Sequence, residues 1–330
     1  MRAVVIEKFG PPDVLQVASR PDPSRRPGEV LVEVVAAGVN RADILQRLGH
    51  YPPPPGTPED IPGLEISGRV LEADPGGAFA PGDRVMALLP GAGYADRAAI
   101  PAELCLPVPK VLSFEAAAAI PEAYLTAYDA LFHRLHLTPG ETVLIHAVSS
   151  GVGVAALQLA HCAGIRTIGT SRSPEKLQRA REMGLDVAVQ AGDGADWPSR
   201  VREATNGTEV DGILDLVGAA YWPQNLEILR PQGRIVVVGL LAGRRTALDL
   251  GVLLRKRLTV VGTALRSRRL WEKAALIAEF RRTALGWFAA GRIRPVIDRV
   301  FPAAVASEAH RYLESNQHFG KVVLRWDAAA

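Results

Sequence analysis

Apolar and polar residues alternate over short stretches in the first third of the chain: Ala3 to Ile6, Val30 to Val35, Glu65 to Leu71, Asp83 to Leu89 and Leu104 to Val108, each bounded by Pro or Gly. A period of two broken by turn residues predicts strands buried on one face, so residues 1 to about 110 read as a small, mostly β, barrel-like domain. From Thr142 the pattern changes to apolar runs separated by helical stretches, as in a parallel sheet with crossover helices. Strands are expected at 142–147, 166–171, 187–190, 212–217, 233–239 and 258–265, which suits a doubly wound α/β sheet. After the second of these, Ser173-Pro174-Glu175 supplies an N-cap, a proline at the first helical position and an acidic first turn, and Gly184 follows the last turn. A helix at about 270–290 and a terminal apolar run, Lys321 to Trp326, follow the sixth strand, and that run can return to complete the first domain. Tyr51 to Pro58, with four consecutive prolines, is a stiff extended loop able to hold a side chain at fixed reach.

With 330 residues, 48% of them apolar, the chain is long enough for two domains and too apolar for disorder. Cys105 and Cys162 are its two cysteines, which excludes a disulfide framework or a four-thiolate zinc site and fits a reducing cytoplasm. The first eight residues carry charge and lack the apolar core of a signal peptide. The longest strongly apolar stretch, Ile235 to Gly243, falls short of the roughly 20 residues of a membrane helix. A cytoplasmic protein without a membrane partner is therefore expected. The net charge of +3 conceals an asymmetry, because Arg230 to Arg299 holds sixteen Arg or Lys against four Asp or Glu. That segment can face an anion, but solvated faces and pairing with the acidic first domain explain it better than nucleic acid does, since no aromatic-rich platform accompanies it.

The stretch from Thr142 to Leu157 reads as a buried strand, a tight small-residue turn and a small-residue helix face. Phosphate binding needs this arrangement, because backbone N–H groups and the helix start can then approach a pyrophosphate. Where the dinucleotide fingerprint has three glycines, this chain has Val148, Ser150 and Gly153, with Gly151 between. The βαβ context therefore carries the assignment more than the motif does. The second strand ends Thr170-Ser171-Arg172-Ser173, with no carboxylate where an NAD site usually places one. A carboxylate 4 Å from a 2′-phosphate would repel it by about 4 kcal/mol per unit charge at an effective dielectric of 20, and Arg172 or Lys176 would attract it by as much. NADPH is the expected cofactor.

With these residues in view, the segments Asn40 to Tyr51, Pro62 to Gly68, Met86 to Gly91, Ala119 to Ala127, Ser150 to Gly153, Leu265 to Arg268 and Gly320 to Leu324 carry a resemblance. End to end, the chain resembles the zinc-free, zeta-crystallin-like quinone oxidoreductases of the medium-chain dehydrogenase/reductase superfamily, most closely their tumour-suppressor-induced branch. The resemblance implies an α/β fold in two domains. A GroES-like β-barrel catalytic domain, 1–122 completed by 267–330, would clasp a Rossmann cofactor-binding domain, 123–266, with NADPH in the cleft and a homodimer as the assembly. Against zinc-dependent relatives, the cysteine ligand aligns with Asn40 and the histidine of the Gly-His-Glu motif with Leu64, which cannot bind a metal, so no metal site is expected.

Carried over by position, Asn40 would hold the nicotinamide ribose, Thr126 with Ser149, Ser150, Gly151 and Val152 the phosphates, and Ser171, Arg172 and Lys176 the adenosine phosphate. Gly239, Leu240, Leu265, Arg266, Ser267 and Lys321 would line the nicotinamide half. Tyr51 is the substrate-side hydroxyl and, with Asn40, makes the implied catalytic pair. The family often has a tyrosine that reaches the 2′-phosphate; the matching position here is Ala191, and Arg172, where relatives often have glycine, can compensate. The implied reaction is hydride transfer from NADPH to a quinone, with water or Tyr51 supplying a proton. NADPH-dependent reduction of an enone or enoyl thioester, and a non-enzymatic NADPH-sensing or RNA-binding role, stay open as alternatives. Dimerisation is expected through an edge strand, Leu258 to Leu265.

Overall fold

The computed structural model describes residues 1–192 and 196–327. The chain divides into two units, Met1–Leu125 with the segment from Leu265 onward, and Thr126–Ala264. In the first unit the strand Glu29–Val39 is long enough to serve three antiparallel neighbours: Glu65–Glu72, Arg97–Pro101 and Lys321–Arg325. The last of these draws the C-terminal apolar run into the sheet. The sheet continues through Ile297–Pro302 on one side and through Arg84–Leu88 and Cys105–Pro107 on the other. Arg2–Ile6 and Leu15–Ser19 form a separate antiparallel pair. Three strands, Leu15–Ser19, Arg97–Pro101 and Ile297–Pro302, have no counterpart in the sequence pattern. Leu15–Ser19 and Ile297–Pro302 lie at a sheet edge and bury little of either face, so no alternation marks them, and Arg97–Pro101 is a five-residue run ending in proline, too short to stand out.

The second unit holds the expected six-stranded parallel sheet, in the order Val187–Gln190, Arg166–Ser171, Thr142–Ile145, Val210–Asp215, Leu229–Val237, Thr259–Gly262. The strand order reverses beside Thr142–Ile145, and in open α/β sheets ligands bind at the carboxyl ends of the strands at such a switch point. The fourth and fifth strands start earlier than the apolar pattern indicates. Val210 pairs with Leu229 before a bulge, and the polar Arg230-Pro-Gln-Gly stretch hides that extension. The sixth strand leaves the sheet after Gly262, sooner than expected. Leu144, Ile168, Ile213 and Ile235 pack with Trp197 and Trp222 as the core of this unit, and Ser173 Oγ caps helix Pro174–Glu182 by accepting the Lys176 N–H at 3.2 Å.

One close approach in the first unit positions the chemistry described below. A Cβ on Gly38 would lie 2.1 Å from Glu65 Oε1 and 2.7 Å from the Ala118 carbonyl oxygen. Glycine at 38 therefore lets the Glu65 carboxylate lie flat against strand Glu29–Val39. We expect Gly38→Ala to cost about 1–3 kcal/mol by overpacking, read as a lowered urea midpoint; an unchanged midpoint would show that the neighbours yield freely.

Candidate active site

Helix Arg41–Arg47 begins at Asn40, whose backbone N–H donates to Asp43 Oδ2 at 2.8 Å, one half of a capping box. Asp43 also accepts the Gly63 N–H at 3.1 Å and the Tyr94 hydroxyl at 3.1 Å. Burial pushes its carboxyl up to about 6, opposed by the Asn40 N–H and by Lys321. Behind Tyr94 lies His310, with Nε2 3.2 Å from the Tyr94 hydroxyl and Nδ1 3.3 Å from Arg47 Nη1. Burial and the Arg47 charge push this imidazole down to about 3. Arg47, fully buried, is paired with Glu314 at 2.6 Å.

The Asn40 side chain faces the other way. Its Nδ2 donates to Glu65 Oε1 at 2.9 Å, and its Oδ1 accepts Lys321 Nζ at 2.6 Å. Lys321 Nζ spends its other donors on Glu65 Oε1 at 2.6 Å and the Val39 carbonyl at 3.1 Å. Glu65 Oε2 accepts the Glu122 N–H at 2.8 Å, at the start of helix Pro121–Tyr128. Lys321 and Glu65 are both buried, and a buried charge is tolerated when paired and fully hydrogen-bonded.

Tyr51 opens the proline loop, and Arg266 clamps it. The buried guanidinium donates from Nε to the Pro90 carbonyl at 2.7 Å, from Nη1 to the Tyr51 carbonyl at 2.9 Å and from Nη2 to Gln46 Oε1 at 2.5 Å, and it lies 5.0 Å from the Tyr51 ring centroid. Lys273 Nζ donates to the Arg266 carbonyl at 2.9 Å. Burial raises the Tyr51 phenol above its ordinary value, Glu122 adds to the rise and Arg266 offsets part of it. Glu122, half-buried by accessible surface but enclosed by protein, is pushed up to about 8 by desolvation and then by Glu65.

The structure thus brings Asn40, Tyr51, Arg266 and Lys321 into one unit, and the side chains of Arg266 and Lys321 are committed to protein acceptors rather than left open to a ligand. Leu265 is buried and Ser267 exposed beside Arg266. Sequence reasoning did not single out Asp43, Glu65, Glu122 or Lys273. The available signal was a carboxylate set inside an otherwise apolar run, at Glu65 and Glu122.

In the second unit, Ser150 caps helix Gly151–Cys162 by accepting the Gly153 N–H at 3.1 Å, leaving at Gly151 and Val152 the orphan N–H groups of a helix start. A Cβ on Gly153 would lie 2.5 Å from the Ala147 carbonyl oxygen, so glycine is required for the helix to begin this close to the strand. Ser149 is buried beneath the turn, and Thr126 is buried on helix Pro121–Tyr128. Ser171 ends its strand and its Oγ accepts the Ser173 N–H at 3.3 Å. Arg172 is exposed and, among the described residues, forms no ion pair; Lys176 stands on the first turn of the next helix. Ala191 is buried in the sheet core. Gly239 and Leu240 follow strand Leu229–Val237, and the Gly239 N–H donates to the Asp215 carbonyl at 3.2 Å. A buried network unforeseen in the sequence ties these strand ends together. His146 bonds Asn225 Oδ1 at 2.7 Å and Thr170 Oγ1 at 2.9 Å, and Asp215 Oδ1 accepts the Val217 and Gly218 N–H groups.

Two family models match the chain, an alcohol dehydrogenase GroES-like domain over residues 26–110 and a zinc-binding dehydrogenase over residues 151–279. Human quinone oxidoreductase is 30% identical over 98% of this chain and 97% of its own. An NAD-dependent alcohol dehydrogenase structure matches with a TM-score of 0.87 at 34% identity, covering 98% and 99% of the two chains. Mycobacterial Rv1454c complexed with NADPH matches at 0.88 and 30%, covering 98% and 100%. The two units are the GroES-like and Rossmann folds of an oxidoreductase. The chain belongs to the medium-chain dehydrogenase/reductase superfamily, among its quinone-oxidoreductase-like members.

Zinc, which the second model's name carries, does not fit the residues present. Among the described residues no three His, Cys, Asp or Glu side chains are grouped to hold a metal. Leu64 is buried, the Asn40 amide is spent on Glu65 and Lys321, and the cation beside Glu65 is the Lys321 ammonium. Also among the described residues, no helix is long and apolar enough to cross a membrane.

The buried imidazole supplies a pH test. His310 titrates near 3 in the native state and near 6.5 when unfolded, so as pH falls from 6.5 towards 3 the unfolded chain takes up a proton that the native state refuses. Stability should drop across that window, and His310→Gln should make the decline of the urea midpoint shallower; parallel slopes in both proteins would contradict this.

Proposed function

We propose that this protein is an NADPH-dependent quinone oxidoreductase working without zinc. The observation that carries the reading is the Lys321–Glu65 ion pair with Asn40, a shielded ammonium in place of an open Lewis acid. Such a site suits an acceptor that needs little polarisation, and a quinone is intrinsically electrophilic. When bound, the nicotinamide supplies a hydride. The chain's part is to bind and orient. The helix start at Ser149, Ser150, Gly151 and Val152, with Thr126, holds the pyrophosphate. Ser171, Arg172 and Lys176 hold the 2′-phosphate, and Asn40 the nicotinamide ribose. Gly239, Leu240, Leu265, Arg266 and Ser267 line the nicotinamide half, with Lys321 and Arg266 acting through the groups they fix. Tyr51, kept protonated by its raised pKa and fixed by Arg266, presents its hydroxyl to the acceptor. The NADPH complex of Rv1454c supports the cofactor choice, which the exposed Arg172, without an ion pair among the described residues, favours independently.

The basic segment does not favour nucleic acid. Arg230 and Arg234 pair with Glu141, Lys256 pairs with Glu209, and Arg266 and Lys273 are buried. We place the protein in the cytoplasm, on its cysteine usage. We also assign a homodimer through the edge strand Thr259–Gly262, where Val260 is exposed, as are Leu250 and Leu254 on helix Leu250–Lys256.

Steady-state oxidation of NADPH and NADH, with an ortho-quinone and an enone as parallel acceptors, tests the reading. Quinone-dependent turnover preferring NADPH is expected. Arg172→Ala should lower kcat/KM for NADPH about 10- to 100-fold, the equivalent of one charge-assisted contact, and leave NADH unchanged. Turnover with the enone alone would replace the quinone by a conjugated double bond as the acceptor. For the assembly, light scattering should give a dimer mass for the native protein and a monomer mass for Val260→Lys; a native monomer would refute the interface.

A further inference from the structure

Arg266 is one half of a two-part bridge across the proline loop. Its Nη1 donates to the Tyr51 carbonyl at 2.9 Å and its Nη2 to Gln46 Oε1 at 2.5 Å. Gln46 Nε2 extends the bridge, donating to the Glu59 carbonyl at 3.0 Å and to the Ile61 carbonyl at 3.4 Å. The two side chains together therefore hold both ends of the loop, Tyr51 on one side and Glu59 with Ile61 on the other. Both are buried, with 4% of Arg266 and 2% of Gln46 exposed. Between its ends the loop rests on Gly91, where a Cβ would lie 2.7 Å from Thr57 Cγ2, and the Ile61 carbonyl also accepts the Ala92 N–H at 3.0 Å.

The chemistry of the bridge restricts what can stand at position 46. A guanidinium has donors only, and a backbone carbonyl only accepts. The side chain between them must accept on one side and donate on the other, so the amide oxygen faces Arg266 and the amide nitrogen faces Glu59 and Ile61. A carboxylate of the same length would accept from Arg266 but turn its second oxygen against two carbonyl oxygens. A thioether of that length would leave buried groups unpaired on both sides.

Gln46 also belongs to helix Arg41–Arg47, whose N-cap is Asn40. The two residues stand at opposite ends of that helix, about 9 Å apart along its axis at 1.5 Å per residue. The helix is itself fixed at both ends, by the Asn40–Asp43 capping box and by the Arg47–Glu314 ion pair. One short rigid element thus carries Asn40, assigned to the nicotinamide ribose, and the amide that anchors the loop bearing Tyr51, assigned to the acceptor. Hydride transfer requires donor and acceptor to be held at a near-attack distance, which depends on the spacing of the residues that hold each.

We propose that Gln46 is a positioning residue that, through Arg266 and the proline loop, sets where Tyr51 stands relative to Asn40, a role resting on the reductase reading above. Its effect on turnover passes through the Tyr51 hydroxyl. Gln46→Glu should lower kcat for quinone reduction about 10- to 100-fold, the cost of misplacing a reacting group by about 1 Å, and leave the KM for NADPH unchanged. In a Tyr51→Phe background the same substitution should have no further effect, because no hydroxyl remains to be misplaced. Should a urea titration show that Gln46→Glu does not fold, Gln46→Met, of equal length and uncharged, carries the same two expectations. An unchanged kcat in the folded variant, or an equal loss with and without the Tyr51 hydroxyl, overturns the positioning role and leaves the reductase reading standing. A wild-type protein that turns over no quinone, or a fully active Tyr51→Phe, overturns the reading beneath it and this inference with it.

Discussion

A buried ammonium must find an acceptor for each of its protons, and Lys321 finds them in Glu65, Asn40 and the Val39 carbonyl. Each partner comes from a different local structure: a strand end, a helix cap and a neighbouring strand. Satisfying one side chain therefore fixes the register of Lys321–Arg325 against Glu29–Val39 and the place where helix Arg41–Arg47 begins. The absence of a side chain at Gly38 leaves the room that this pairing needs. Removing either charge would leave the other buried and uncompensated, typically a loss of 3–5 kcal/mol, so the pair constrains the whole first unit.

From that constraint the electrostatics of the neighbours follow. With Glu65 paired to Lys321 and Asp43 held by three donors, desolvation first and the Glu65 charge second push the Glu122 carboxyl up. Arg266 meanwhile turns a cationic side chain into a mechanical clamp, its three donors spent on carbonyl and amide oxygens that hold the proline loop and Tyr51. The second unit uses different means. There the glycine turn is built from backbone, with Gly153 permitting the helix to start against Ala147, and the buried His146–Asn225–Asp215 network ties together the strand ends around it.

The fold was legible where burial wrote a period into the sequence. All six strands of the parallel sheet announce themselves as apolar runs, and so do most inner strands of the first unit; Leu15–Ser19 and Ile297–Pro302 do not, because edge strands with exposed faces carry no alternation, nor does the short Arg97–Pro101. Of the candidate site, the glycine turn and the carboxylate-free end of strand Arg166–Ser171 could be read from local spacing. The Asn40–Lys321 contact could not, since 281 residues separate its partners. Nor does composition distinguish an arginine that clamps a loop, such as Arg266, from one that faces solvent, such as Arg172. That difference lies in tertiary partners alone. Glu65 and Glu122 gave a weaker signal, as acids within apolar segments whose burial only the fold makes evident.

The central claim is that Lys321, not a metal, supplies the fixed positive charge beside Glu65, and it is tested most directly by measuring the metal content and quinone-dependent NADPH oxidation of the same chelator-treated sample. The account predicts substoichiometric zinc and undiminished turnover. Activity lost to the chelator and restored by added zinc would contradict it.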